Sequence, residues 1–438
     1  MKTIINSLKA SILIVVIIVL FSQQGLGTPI DNLSRHAAVG FSIGSKGYIG
    51  TGYGNVYSNT PYRKDFWEYD PSTDSWTQKA DFGGTARYFA AGFSIGTKGY
   101  IGTGYNSSGP LKDFWEYNPT SNIWTRKADF GGVARGAATG FSIGSMGYIG
   151  TGQGLSPGDN LQDFWEYNPT SNLWSKKTDF PGTPRYAAAG FSIGSKGYLG
   201  TGINYVNSTT YTWYKDFYEY DPGTDSWTKK ADFGGTAGAF GVGFSINNTK
   251  GYVVTVYSGH GTAGLQNDFW EYDPTNSETG GTWTKKADFA GPLRDCAVGF
   301  SIGTKGYIGT GEIITLTLVQ DFWEYNQLTN VWTQKTDLGG THQGSLKDAV
   351  IEEPGPLNTE ELNVYPNPSN STFNFRLQTT NEELVNIKIF DMMGRLVQEY
   401  HSLSPDVMTI GENLTPGIYV AVVKQGEYQK NVKITKIN

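Results

Sequence analysis

Asp65 and Glu68 stand three residues apart in "DFWEY", and Asp81 follows on the same repeat. Carboxylates spaced in this way could act as a general acid and its partner base. The glycines of "GTG", placed after an apolar run, could open a phosphate-cradling loop. Cys296 could be a reactive thiol, and His36, His260 and His342 are the histidines of this region, with no motif that ties Cys296 to them. One observation bears on all of these. "DFWEY" begins at Asp65, Asp113, Asp163, Asp268 and Asp321, and a variant, "DFYEY", begins at Asp216. A residue present in all six copies must satisfy six equivalent environments, so its role lies in the repeat unit. That sets aside Asp65, Glu68, Asp81 and their equivalents as a unique acid–base site. "GTG" leads into a loop and a further strand rather than a helix, so it is not a nucleotide fingerprint. Cys296 is the single cysteine and stands where other copies have Ala37, Phe89, Ala137, Ala187 and Phe240, which reads as inner-strand packing. A lone cysteine gives no disulfide framework. No Ser-His-Asp set, Cys-His set, zinc spacing or phosphate loop occurs. No catalytic residue, metal or cofactor is assigned. A net charge of −6 with no basic run argues against nucleic acid.

The elements that hold these residues follow from the repeat. "GFSIGSKGYIGTG" recurs with its Phe at Phe41, Phe93, Phe141, Phe191, Phe244 and Phe300, at spacings of 48 to 56 residues. A Trp closes each copy at Trp76, Trp124, Trp174, Trp227, Trp283 and Trp332. Such a period marks a propeller or an array. Each copy reads as four short strands, typified by "RYFAAGFSI", "GYIGTG", "DFWEY" and "WTQK", bounded by Gly, Pro, Asn and Asp. No window carries a 3.6-residue period, so no helix is expected. The first strand, rich in Ala and Gly, suits the crowded axis of a ring. The fourth carries Lys79, Lys127, Lys177, Lys230, Lys286 or Lys335 and reads as an open outer edge guarded by charge.

From residue 34 to about 340 the chain resembles the kelch repeat. The resemblance rests on an Arg before the first strand, a Gly-rich second strand, an aromatic third strand ending in "YDP", and a Trp in the fourth. It departs where the kelch Gly doublet becomes "GTG". It implies a six-bladed β-propeller. Copy one starts at "SRHAAVGF" and copy six ends in "TDLGGTHQ", so each blade is expected to be one unbroken repeat, with blade six closing on blade one.

Both ends of the chain differ from the repeat. Residues 1–27 carry Lys2 and Lys9 ahead of an apolar run, then "GLG" before Thr28, and read as a secretory signal peptide. The propeller is expected over 28–340, and a polar linker with two prolines over 341–360. Residues 361–438 alternate in short strands, about six or seven, and read as a small β-sandwich. Their phrases "YPNPSN", "IFDMMGRLV" and "PGIYV" resemble the C-terminal sorting domain of the type IX secretion system of Bacteroidota. This implies handling by that machinery through 361–438, removal of the tail, and a mature protein that is secreted or on the outer cell surface without a membrane span. The fold class is therefore all-β, a six-bladed kelch-type propeller followed by a β-sandwich.

Binding residues are sought where copies differ. The loops between second and third strands vary most, and loops on a rigid scaffold commonly carry binding. Two rings converge at that mouth. One is Arg35, Arg87, Arg135, Arg185 and Arg294, with Gly238 in the fifth copy; the next residue varies through His36, Tyr88, Gly136, Tyr186, Ala239 and Asp295. The fourth copy has the longest loop, 203–215, with Tyr211, Trp213 and Tyr214, and its third strand has Tyr218 in place of Trp. Two explanations stand at this stage: a site built there with Tyr257 and His260, or Trp213 folding back into space left by Tyr218. The expected function is a surface module binding a glycan or a protein. The alternatives are a carbohydrate-active kelch enzyme, oxidase-like or epimerase-like, and a structural or adhesive surface protein.

Overall fold

The computed structural model describes residues 33–340 and 361–437, apart from 55–60, 157, 208–209, 255–256, 259–263, 277–279, 314–316, 366, 368, 379–383, 392–395, 403–407 and 426–427. The expected signal peptide and linker, His260 and His342 lie outside the described residues. The chain divides into two compact units, 1–343 and 344–438.

In the first unit, Val39–Ile43, Lys46–Gly50, Phe66–Asp70 and Ser75–Lys79 form one antiparallel sheet in chain order. Five more four-stranded sheets repeat it within 91–126, 139–177, 189–229, 242–285 and 298–335. The first strand of each packs on the first strands of its two neighbours, and Val298–Ile302 returns to Val39–Ile43. The sheets therefore close a ring with the Ala/Gly-rich strands innermost, as read from composition. Each sheet is drawn from one continuous stretch of chain.

The neighbour contacts explain the repeat. Gly99 lies against Phe41 and Gly147 against Phe93, so close that a Cβ would overlap the ring, and Gly47 meets Phe300 in the same way across the closure. The fourth-strand Trp side chains donate Nε1–H to a carbonyl of the adjacent blade: Trp124 to Ala80 O at 3.1 Å, and Trp76 to Thr336 O at 2.9 Å where the ring closes. A turn residue with positive φ, such as Asn122 (φ 54°), accepts from both Tyr117 Oη and the Ala80 N–H of the preceding blade. In the fifth blade the longer turn replaces that side chain with a carbonyl, Gly280 O, which accepts from Tyr272 Oη and Ala231 N.

The fourth-strand lysines correct an expectation. They do not stand as free charges on an outer edge. Lys79 Nζ lies 3.5 Å from Glu68, and Lys127 Nζ lies 3.4 Å from Glu116. The same carboxylates accept from second-strand tyrosines, Tyr48 at 2.6 Å and Tyr100 at 2.8 Å. Each of the first five blades thus carries a Tyr–Glu–Lys chain across one face, because a lysine stem reaches over its own sheet to the nearest acceptor. In the sixth blade Lys335 pairs with Asp74 of the first.

The odd third strand also has a structural cause. In the second, third and fifth blades the Trp of "DFWEY" packs on a glycine of the preceding connection: Trp115 on Gly83, Trp165 on Gly131 and Trp270 on Gly234, with 2.6 to 2.7 Å left for any added Cβ, while the sixth blade has Ala290 there. The equivalent residue before the fourth blade is Pro181. A pyrrolidine needs that space, and the smaller Tyr218 leaves it, turning its ring edge to Phe180 at 5.1 Å. Tyr218→Trp is expected to destabilise the protein by about 1–3 kcal/mol through overpacking. Adding Pro181→Gly should recover most of the loss, and thermal melting of the two single variants and the double measures the coupling. Additive effects would show that the two positions are independent.

The second unit places a three-stranded sheet (Glu361–Tyr365, Phe373–Gln378, Met408–Ile410) beside a four-stranded one (Val385–Asp391, Leu396–Ser402, Gly417–Gln425, Tyr428–Lys436). Phe373, Phe375, Ile387, Ile389, Ile410, Ala421 and Ile434 form its core, so the alternating pattern does give a small β-sandwich.

Candidate binding site at the mouth of the ring

The arginine ring lies under the mouth rather than in it. Arg35, Arg87, Arg135, Arg185 and Arg294 are fully buried. Arg135 donates to both oxygens of Asp163 at 2.7 Å and to Thr151 O at 2.8 Å, with its guanidinium 4.8 Å above the Phe130 ring. Equivalent forks join Arg35 to Asp65, Arg87 to Asp113, Arg185 to Asp216 and Arg294 to Asp321. Burial alone would raise Asp163, but the Arg135 guanidinium holds its carboxyl below the usual range. These five side chains are latches between the start of one blade and its third strand. They present no donor to a ligand, which corrects their reading as binding residues. Where Gly238 replaces the arginine, Asp268 keeps a buried Oδ1 with no partner.

The residue after each arginine stands higher, in a ring of single bridges to the residue that follows the second strand's "GTG" position. His36 pairs with Tyr53, Tyr88 with Tyr105, Gly136 with Gln153, Tyr186 with Ile203, and Ala239 with Tyr257. Asp295 pairs with Glu312 in a two-residue ladder. Below them the next residues, Ala37, Phe89, Ala137, Ala187, Phe240 and Cys296, all have φ of 50 to 60°. Each N–H donates to the same position of the preceding blade, at 2.9 Å, or 3.3 Å from Cys296 to Phe240, closing a circle of backbone hydrogen bonds. That circle supports a conformation that these residue types seldom adopt. Phe89 and Phe240 meet at 5.7 Å across the axis and floor the mouth. Beneath them runs a channel of about 160 Å³ lined by small residues of the inner strands.

Aromatic side chains wall the cup. Tyr53 lies 5.3 Å from both Tyr62 and Tyr88, Tyr88 lies 5.2 Å from Phe89, and Tyr186 lies 5.9 Å from Phe240. Blade tyrosines such as Tyr48 and Tyr117 all donate to fixed acceptors. By contrast, the hydroxyls of Tyr53, Tyr62, Tyr88, Tyr186 and Tyr257 have no hydrogen-bond partner among the described residues and are not enclosed. Burial pushes the Tyr88 hydroxyl up to about 12, so it stays protonated and can donate.

The long loop of the fourth blade is a hairpin, Ile203–Asn207 paired with Thr210–Trp213. Trp213 sits edge-on to Tyr257 at 5.5 Å and to Tyr211 at 6.2 Å, and packs with Ile203, Tyr205 and Ala239. It therefore does not fill space beside Tyr218, whose neighbour is Phe180. Its Nε1 is buried without a partner. Tyr211 is exposed. Tyr214 leaves this group; its ring lies under the Arg185 guanidinium at 4.1 Å, as part of the latch.

One corner of the mouth is polar. His36 Nδ1 lies 3.2 Å from Glu312 Oε2, off the line of a hydrogen bond. Burial lowers His36 to about 4. Burial, then the Glu312 charge, raises Asp295 to about 7. Burial raises Glu312 as well. Cys296 is pushed up by burial and then by the Asp295 and Glu312 charges, which leaves an unreactive thiol. Asp295 was visible in the sequence as one of the varied residues after the arginine. Glu312, Tyr53 and Tyr62 were missed. The available signal was the column directly after "GTG", where Tyr53, Tyr105, Gln153, Ile203, Tyr257 and Glu312 align. Among the described residues, no group of three or more His, Cys, Asp or Glu could hold a metal ion. No described helix is long and apolar enough to cross a membrane.

Residues 363–437 match the family model of the secretion system C-terminal sorting domain. This marks the chain for type IX export to the cell surface or the extracellular space. No curated protein matches the chain. Among solved structures, that of YjhT is similar in fold, with a TM-score of 0.57 at 17% identity, covering 70% of this chain and 99% of that one.

Proposed function

We propose that this is an exported kelch-type propeller whose mouth binds a carbohydrate. The carrying observation is the set of cup-lining tyrosine hydroxyls without partners among the described residues, in a molecule whose blade tyrosines are engaged. Sugar rings offer C–H faces to aromatic walls and hydroxyls to phenols. A concave, largely apolar site with a few convergent polar groups is the form that small-ligand sites take. Tyr53, Tyr62 and Tyr88 form one wall, Tyr186 with the Phe89–Phe240 floor continues it, and Trp213 with Tyr211 and Tyr257 forms a second platform over blades four and five.

A glycan array identifies the ligand, and product analysis of the same incubations separates binding from turnover. On the best array ligand, Tyr88→Ala should lose about thirtyfold or more in affinity, as a central aromatic anchor does. Tyr88→Phe should lose about three- to tenfold, the worth of one hydrogen bond, with unchanged melting because the hydroxyl has no partner among the described residues. Full affinity in Tyr88→Ala would place the ligand elsewhere.

A further inference from the structure

The polar corner carries two carboxyls that no Lys or Arg neutralises among the described residues. Asp295 and Glu312 face each other across the ladder of Arg294–Asp295 and Glu312–Ile313. Directly opposed residues hold their Cβ atoms about 4.5–5.5 Å apart, where like charges oppose each other. The neighbouring cations are committed: Arg294 to Asp321 and Arg35 to Asp65, both fully buried. The other groups facing the pair are His36, the Cys296 thiol and, toward Asp295, Tyr257. Burial keeps His36 neutral above about pH 4. Its Nδ1 is itself buried, has no hydrogen-bond partner among the described residues, and lies 3.2 Å from Glu312 Oε2. With the ring proton on Nε2, that nitrogen is a third acceptor. Three acceptors and no charged donor therefore converge beside the aromatic wall, which begins at His36 with the Tyr53 ring 5.6 Å away.

We propose that Asp295, Glu312 and His36 bind the ammonium group of an amino sugar, so that the ligand of the mouth is a carbohydrate with free amines. This rests on the reading of the mouth as a carbohydrate site. An ammonium brings three N–H donors and one positive charge, which matches three acceptors and an uncompensated carboxyl pair. The face of the neighbouring tyrosine ring adds a cation–π contact. An N-acetyl group offers a single N–H and no charge, and a hydroxyl offers one donor. Neither satisfies the corner. Because a cation favours the ionised pair, an amine that is already charged before it binds releases protons from the carboxyls.

The test is calorimetry at about pH 5.5, where glucosamine amines are charged, with the full-length protein and three β-1,4-linked oligosaccharides: of glucosamine, of N-acetylglucosamine and of glucose. The glucosamine oligomer should bind about tenfold or more tightly than the others, the scale expected for a desolvated charge pair. Its binding should release protons, seen as a dependence of the heat on the buffer. Asp295→Asn and Glu312→Gln preserve shape and should abolish the preference, so that the glucosamine oligomer then binds no more tightly than the neutral ones. If the neutral oligomers bind as well as the glucosamine one, or if the preference survives both variants, the inference fails and the carbohydrate reading stands. If no glycan in these experiments or on the array binds, both fail.

Discussion

Arg135→Ala is expected to lower the stability of the propeller by about 3–5 kcal/mol, the usual cost of removing one partner from a buried, hydrogen-bonded ion pair. The guanidinium is fully buried, while the Asp163 side chain keeps 22% exposure. The loss comes chiefly from leaving that carboxylate, the Thr151 carbonyl and the Phe130 face without their partner. The effect has a sign in pH. Asp163 is held below its ordinary range in the folded protein, so its pairing stabilises above the unfolded pKa of about 3.9. That contribution disappears as pH falls through the lower folded value. Urea unfolding of wild type and variant should therefore differ most near neutral pH and converge in acid. A variant with wild-type unfolding and lost glycan binding would return the arginine ring to the binding site.

The arginines show where reading by sequence alone stops. Their place before the first strand was plain, and so was the Asp that opens each third strand. The variable loop lies between the two, so the spacing from Arg to Asp changes from 26 to 31 residues and hides the pairing. A strand pattern tells which face a residue takes. It does not tell that a long side chain runs beneath its neighbours to a partner two strands away. The lysines of the fourth strands were misread for the same reason. Six repeats, four strands to each, and the radial order were legible, because hydrophobic alternation, glycine placement and turn residues all agree there. The change to Tyr218 was not explained from the sequence, because Pro181 belongs to the preceding connection, at the position whose glycine meets the third-strand Trp in three other blades. Trp213 and Tyr257 were recognised as outliers and do come together. The Asp295–Glu312 pair depended on the register of a two-residue ladder, which neither residue's own surroundings in the sequence reveal.

That pair has the second large consequence. Asp295 titrates at about 7 in the folded protein against an ordinary value of 3.8. A carboxyl raised on folding binds its proton more tightly in the native state, so its favourable contribution is complete below about pH 4. It is lost as pH rises toward 7, because ionisation then places a charge in a buried site beside Glu312. The difference between the folded and ordinary values corresponds to at most about 4 kcal/mol of native-state destabilisation above pH 7. Asp295→Asn keeps the shape and removes the charge. The variant is expected to be more stable than wild type by about 2–4 kcal/mol at pH 8, with the difference shrinking toward zero at pH 4. Denaturant midpoints for both proteins across that range measure it, and parallel curves would show that Asp295 ionises without penalty. Nothing in the blades needs this acidic pair, since the other five bridges at the mouth manage with Tyr, Gln, Gly, Ala, Ile and His. A chain that retains a destabilising pair of carboxyls at the rim of an aromatic cup keeps its mouth short of one positive charge, and a cationic ligand that supplies it recovers on binding the stability that the free protein forgoes.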